Sequence, residues 1–304
     1  MRAGVVVVAV AACGVDGAGQ GIEGQLSAEG LYSDLARKDV VPDARELTPA
    51  YPLWSDGAVK RRWMIVPAGT ELDTTDMDHW QLPIGGKLFK EFVVGGRRVE
   101  TRMIERQGAD EFRFAPFVWL PDESDAALAV AGARNVNDSG YDVPSSEECV
   151  MCHRGEPGRM LGVSAVQLAA QLEELPLSRV PERPVSIREP ALGVLHGNCG
   201  HCHNPLGTAP MQTLRVSLAD AEVATEETAT YRTTVGRRLE YWTEHGFEMR
   251  VAPGEPEASA ILYRLSQRGT AEQMPPIGTD QVDEEGRAIV RRWIASLPVV
   301  ATEK

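Results

Sequence analysis

Basic residues are scarce in this chain, and their deficit excludes one broad class of function. The 304 residues include 31 lysines and arginines against 44 aspartates and glutamates, which gives a formal net charge of −13. Proteins that bind nucleic acid neutralise phosphates with clustered basic side chains, so no nucleic-acid role is expected. An acidic surface instead favours encounter with basic protein partners, in a manner that depends on salt.

Long apolar runs are missing as well. The run from Gly4 to Ala12 is far shorter than the roughly 20 residues of a transmembrane helix, and it matches the apolar core of a secretory signal. The segment from Val10 to Gly14 looks like a bacterial lipoprotein signal. We therefore expect residues 1–12 to be a signal peptide, Cys13 to be lipidated, and residues 13–25 to form a flexible tether.

Two alternatives for the N-terminus stay open, namely export with plain cleavage and an uncleaved tail. All three place the protein outside the cytoplasm. The expected location is the periplasmic face of a bacterial membrane, with contact to the membrane through the lipid on Cys13.

Cysteine is also scarce, and four of the five cysteines fall in two copies of one pattern. These copies are Cys149-Val150-Met151-Cys152-His153 and Cys199-Gly200-His201-Cys202-His203. A C-x-x-C-H run is typical of covalent haem attachment. On a helical turn both thiols lie on one side of the backbone, where they can form thioethers to the two vinyl groups of one porphyrin. The following histidine can supply an axial ligand, so the sequence predicts two covalently bound haem c groups.

Other uses of these cysteines are weaker explanations. Four thiolates can bind one tetrahedral zinc ion, but zinc gives no reason for a histidine directly after each pair. Structural disulfides, or chance pairs in a reduced protein, account for that histidine no better.

Each haem also needs a sixth ligand or an open position. Met274 lies in Gln273-Met274-Pro275-Pro276, where the prolines stiffen the loop, and is the predicted ligand opposite His203. For the haem of His153, Met249 is narrowly favoured. His245, Met160, His196 and a five-coordinate iron remain as alternatives.

The chain pattern predicts two unlike halves. From about Tyr51 to Leu120, short alternating runs separated by turn residues are typical of antiparallel strands, with a hairpin at Gly95-Gly96. The aromatic side chains of this region suit core packing better than a sugar site: Trp54, Trp63, Trp80, Phe89, Phe92, Phe112, Phe114, Phe117 and Trp119.

Helical spacing dominates the second half. Helices are expected over Val163–Leu175, Ala191–Cys202, Pro256–Leu265 and Asp280–Leu297. The predicted fold is therefore α+β, with a β-sandwich or barrel-like domain over residues 26–141 and an all-α, cytochrome c-like dihaem domain over residues 142–304. In the latter, the second haem helix packs on the C-terminal helix.

Several segments in this order resemble a family of bacterial exported dihaem c-type cytochromes. The resemblance covers about residues 45–297 and rests on Tyr51–Ala58, Val99–Arg102, Phe117–Trp119, the two haem motifs and Asn204-Pro205. Residues 251–276 look like the distal half of class I cytochrome c domains. The resemblance implies haem binding and electron transfer, but it gives no sixth ligand for the first haem.

These observations predict an exported dihaem cytochrome that passes electrons from an exported dehydrogenase to an acceptor cytochrome or oxidase. Two other classes of function stay open. One is a dihaem peroxidase or oxidase with an open first haem, and the other is a carbohydrate-binding module with accessory haem.

Overall fold

The computed structural model describes residues 24–182, 185–241 and 245–299. The predicted signal peptide, the predicted lipidation site Cys13 and most of the predicted tether lie outside the described residues.

The first half is built on one antiparallel sheet whose strands follow the chain order. Its strands are β3 (Arg45–Glu46), β4 (Val59–Ile65), β5 (Lys87–Val94), β6 (Arg97–Arg106), β7 (Phe112–Trp119) and β8 (Ala126–Leu128). A two-stranded ribbon, β1 (Tyr32–Asp34) and β2 (Asp39–Val40), precedes it. Gly95 and Gly96 both have positive φ angles, 57° and 80°, which a tight two-residue hairpin requires. The predicted hairpin is confirmed.

Both faces of this sheet are covered, which explains why the alternation of its strands is imperfect. One face presents Trp63, Phe89 and Phe117, which pack with Leu26 and Leu31 from the N-terminal segment. The other face is covered by loops that include residues 72–82 and 160–175. Most of the aromatic side chains of this region are almost fully buried, so they form the core: Trp63, Trp80, Phe89, Phe92, Phe117 and Trp119.

The predicted sandwich or barrel is wrong. Within the described residues the strands form only the six-stranded sheet and the small ribbon, so no second large sheet packs on the first. Buried apolar positions on both faces suggested two sheets, but loops and helices supply the second layer. Alternation of apolar and polar residues identifies strands, but it does not identify the elements that cover the sheet.

The predicted all-α cytochrome c-like domain is also wrong. The described helices are few and short: α1 (Ser146–His153), α2 (Pro190–Cys199), α3 (Leu218–Glu222), α4 (Ala229–Thr234), α5 (Ala260–Leu265) and α6 (Glu284–Ser296). The expected helix at Val163–Leu175 is a series of turns with one 3-10 segment, Leu172–Glu174. Its apolar side chains pack against the sheet, and this tertiary burial outweighs the local helical spacing.

One predicted helix pair is present. Helices α2 and α6 pack together through Leu192, Leu195, Val290, Trp293 and Ile294, which are all buried in one cluster. Asp283 caps α6 by accepting a hydrogen bond from the Gly286 amide at 2.9 Å. This pair fixes the end of α2, where the second C-x-x-C-H motif begins.

Candidate functional site

Helix α1 carries the whole first motif. Ser145 caps it, because its hydroxyl accepts from the Glu148 amide at 3.2 Å while the Glu148 carboxylate accepts from the Ser145 amide at 2.8 Å. This capping box satisfies two backbone donors that would otherwise be unpaired. It fixes the helix start, and Cys149, Cys152 and His153 follow within the next two turns.

The ring of His153 is held in the form that binds a metal. Its Nδ1 lies 2.7 Å from the carbonyl oxygen of Arg159. A carbonyl can only accept, so Nδ1 donates and Nε2 keeps its lone pair. Burial lowers the pKa of His153 to about 3, which keeps the ring neutral. A histidine that ligates a metal ordinarily donates its other ring N–H to a partner of this kind.

A cavity of about 480 Å³, called the first cavity here, adjoins this motif. Cofactor and ligand pockets typically have volumes of about 300–1,000 Å³. The walls come from α1, the sheet, residues 53–56, residues 201 and 202 of the second motif, residue 273 and residues 275–280. Among the lining side chains are Cys149, Cys152, His153, Arg62, Lys90, Arg102, His201 and Cys202. The structure therefore brings all three first-motif residues to one large cavity.

The second motif spans the end of α2 and the turn after it. The predicted helix extends to Cys202, but α2 ends at Cys199. The amides of Cys202 and His203 then donate to the Cys199 carbonyl at 3.1 and 2.9 Å. A cavity of about 260 Å³, called the second cavity, adjoins Cys199 and His203. Met274, the predicted ligand opposite His203, lines the same cavity.

The second motif fits a haem less completely than the first. Cys202 lines the first cavity rather than the second. A hydrogen bond with Cys152 lowers the pKa of the Cys202 thiol, so the two thiols are neighbours. The two thiols of the second motif therefore border different cavities. The cavity volume is also slightly below the usual range.

The motifs themselves are packed together. A Cβ atom on Gly155, two residues after the first motif, would collide with the carbonyl oxygen of His201. All four motif cysteines are free thiols. Within the described residues, no group of three or more His, Cys, Asp or Glu side chains is arranged to hold a metal ion. The four thiols thus do not converge on one zinc ion.

The side chains considered as sixth ligand of the first haem lie elsewhere. Met160 is buried in the core beside the sheet, and His196 accepts from the Val216 amide at 3.0 Å through Nδ1. The Nδ1 atom of His245 lies 2.8 Å from a carboxylate oxygen of Glu272. Met249 forms an isolated β-bridge with Ser259. None of the four lines the first cavity. The Met249 assignment stays a prediction that this geometry does not favour.

Sequence patterns missed two residues that line the cavities. His201, between the cysteines of the second motif, lines the first cavity, and Met211 lines the second. His201 had no sequence signal, because the predicted helix runs to Cys202, whereas α2 ends at Cys199. Met211 had no sequence signal either, because its place depends on how the loop after the motif folds.

The segment Tyr51–Ala58 holds the two halves of the site together. The Trp54 amide donates to the Asn198 side chain at 2.6 Å, next to Cys199. Asp56 accepts hydrogen bonds from residues 279–281, in the loop that follows Met274. Close approach of Tyr51 to α2 needs glycine at positions 193 and 197, where a Cβ atom would collide with it.

No helix in the described part of the chain combines the length and apolarity needed to cross a bilayer. No protein-family model matches the chain, and neither curated proteins nor solved structures give a match.

Proposed function

We propose that the protein is an exported two-haem c-type cytochrome. In this proposal it carries electrons from an exported dehydrogenase to a downstream acceptor at the periplasmic face of the membrane, with Cys13 as the lipid anchor. The observation that supports it best is at the first motif. There Cys149, Cys152 and His153 border one large cavity, and the hydrogen bond to Arg159 leaves Nε2 of His153 free to bind iron.

A haem bound at each motif would supply a redox-active iron, which the protein chain alone lacks. The chain's own residues would bind the haems and orient them. The motif cysteines would anchor the porphyrins, while His153 and His203 would offer neutral ring nitrogens. Met274 faces the cavity of His203, and a thioether ligand favours the ferrous state of the iron.

The arrangement of the two cavities also supports electron transfer. His201 and Cys202 line the first cavity, whereas His203 lines the second. Residues 273 and 275 likewise face the first cavity and Met274 the second. The two cavities therefore adjoin the same two segments, so haems bound in them would be neighbours.

Haem counting tests the proposal directly. The chain is expressed in a host that exports proteins and attaches haem, and covalent haem is counted by pyridine haemochrome absorbance and intact mass. The wild type is expected to carry two haems, and the pairs C149S/C152S and C199S/C202S one each. The matched control C13S is expected to keep both haems but to leave the membrane fraction. Colourless wild-type protein without added porphyrin mass would refute the proposal.

One observation favours a second candidate, a dihaem peroxidase with an open first haem. None of the four side chains considered as sixth ligand lines the first cavity, so an iron at His153 would keep a face for substrate unless His201, which does line the cavity, binds it. Low-temperature EPR distinguishes the two functions. A high-spin ferric signal at one haem, together with peroxide turnover, supports the peroxidase, and two low-spin signals without turnover support the carrier.

A further inference from the structure

The sheet contributes a row of three cations to the first cavity. Arg62 on β4 pairs with Lys90 on β5, and Lys90 pairs with Arg102 on β6. Directly opposed residues of neighbouring strands project from the same face of a sheet. All three side chains line the first cavity. The register therefore places three like charges side by side beneath the first motif.

Of these three cations, only Arg102 forms a direct ion pair in the described part of the chain. Arg102 forms a two-point ion pair with Glu100, at 2.6 and 2.8 Å, and the Tyr141 hydroxyl donates to the same carboxylate at 2.9 Å. Within the described residues, neither Arg62 nor Lys90 forms a side-chain hydrogen bond or ion pair. Lys90 Nζ lies 4.9 Å from the centre of the Phe92 ring, and the Glu100 carboxylate attracts it without forming an ion pair.

Leaving Arg62 and Lys90 without an ion pair lowers the stability of the folded protein. Like charges directly opposite each other destabilise a sheet, and desolvation adds to the cost. Burial lowers the pKa of Arg62 to about 10 and also lowers that of Lys90. A chain with a net charge of −13 has ample acid for pairing, yet no acid forms an ion pair with Arg62 or Lys90 within the described residues.

Three of the four acidic residues that line the same cavity are hydrogen-bonded or paired elsewhere. Asp56 accepts from residues 279–281, Asp142 pairs with Arg134 at 2.9 Å, and Glu148 belongs to the cap of α1. The exposed Asp280 lies in the loop that Asp56 holds. These acids therefore leave Arg62 and Lys90 available to an incoming anion.

We propose that Arg62 and Lys90 form a carboxylate-binding site on the sheet, and that its occupants are the propionates of the haem attached at Cys149 and Cys152. This inference rests on the proposed function. Charge-assisted hydrogen bonds to carboxylates are about twice as strong as neutral ones, and the arginine fork binds a carboxylate at two points. The haem would then be anchored covalently at α1 and electrostatically at the sheet.

The first test compares the variants R62M, K90M and R62M/K90M of the haem-loaded protein. A ferrous haem carries one more negative charge than a ferric haem, so nearby cations stabilise reduction. The double variant is expected to lower the midpoint potential of one haem by about 59 mV, a tenfold change in the one-electron equilibrium. The other haem keeps its potential, and the haem count stays at two.

Arg61 provides the matched control, because it lies on the opposite face of β4 and pairs with Glu46 at 2.8 Å. R61M is expected to change neither potential. Equal potentials in R62M/K90M and wild type, with two haems present in each, would overturn the inference and leave the proposed function standing.

A second measurement separates haem propionates from a free carboxylate. The C149S/C152S protein, which lacks the first attachment, is titrated calorimetrically with succinate. If this protein binds succinate, and if adding R62M/K90M abolishes that binding, the result supports a carboxylate site. If wild type from the haem-attaching host carries no haem and binds succinate in the same Arg62- and Lys90-dependent way, the proposed function and the propionate assignment both fail. If wild type carries two haems, but the C149S/C152S protein binds no succinate or binds it equally with and without the two cations, the carboxylate site itself is refuted.

Discussion

Asp56 and Thr279 are hydrogen-bonded at 2.6 Å although they are 223 residues apart in the chain. The same carboxylate accepts from the amides of Asp280 and Gln281, each at 2.9 Å. Asp56 itself has a positive φ of 52° just before β4. The segment between β3 and β4 thus holds the loop that follows Met274, and Met274 lines the second cavity together with His203.

The first prediction concerns this anchor. D56A removes three hydrogen bonds to the loop and should cost about 1–3 kcal/mol of stability, because the freed loop donors lose their acceptor. The looser loop should also lower the fraction of Met-ligated second haem, measured by the far-red charge-transfer absorption of sulfur-ligated ferric iron. D122A, a change at an exposed aspartate, is the control. An unchanged absorption in D56A would show that Met274 is positioned without Asp56.

The second prediction distinguishes two methionines that line the second cavity. M274L should abolish the sulfur-ligated absorption and lower the potential of the second haem, because the soft thioether favours ferrous iron. M211L should leave both properties unchanged. Leucine has nearly the volume of methionine, so the packing cost is below about 1.5 kcal/mol in either case. The reverse pattern would assign the ligand to Met211.

The third prediction is a pH dependence of stability that comes from Lys60. Burial lowers the pKa of this ammonium group to about 8, against about 10.4 in an unfolded chain. Between these values the unfolded chain holds a proton that the folded chain has lost, so the free energy of unfolding rises with pH. The rise amounts to at most about 3 kcal/mol, at 1.36 kcal/mol per pKa unit.

The K60M variant lacks this contribution. Urea unfolding of both proteins at about pH 8 and about pH 10 should therefore show the wild type gaining stability relative to K60M as pH rises. Other titrating groups cancel in the difference. Parallel pH profiles would show that the buried ammonium keeps an ordinary pKa.

The fourth prediction concerns the buried carboxylate of Glu100, which is fully inaccessible to solvent. E100Q keeps the shape of the side chain but leaves Arg102 without a counter-charge next to Lys90. Loss of one partner from a buried ion pair costs about 3–5 kcal/mol, which denaturant unfolding would detect. E111Q, at an exposed position, should change stability by less than about 0.5 kcal/mol. A similar small effect in E100Q would mean that an anion or water already compensates Arg102.

Local chemistry in the sequence was a good guide to single elements. The Gly95-Gly96 pair specifies its hairpin because both positions need positive φ. Ser145 and the early glutamates specify the start of α1, and the apolar stripe with Trp293 specifies α6 and its contact with α2. In each case the determining residues lie within a few positions of the element.

Features set by packing between distant segments were not predictable in this way. The spacing from Val163 to Leu175 is helical, but burial against Met64, Leu88 and Ile104 of the sheet favours turns. The alignment of Arg62, Lys90 and Arg102 depends on strand register, which a single sequence does not reveal. The turn that sends His201 and His203 to different cavities is equally invisible until α2 is known to end at Cys199.

Residues of the second motif line both cavities, which couples the two proposed haem sites. Cys202 borders the first cavity beside Cys152, so in the proposed cytochrome a haem attached at the second motif would use a thiol that also borders the first cavity. Loading of one site would therefore alter the surroundings of the other before any electron moves.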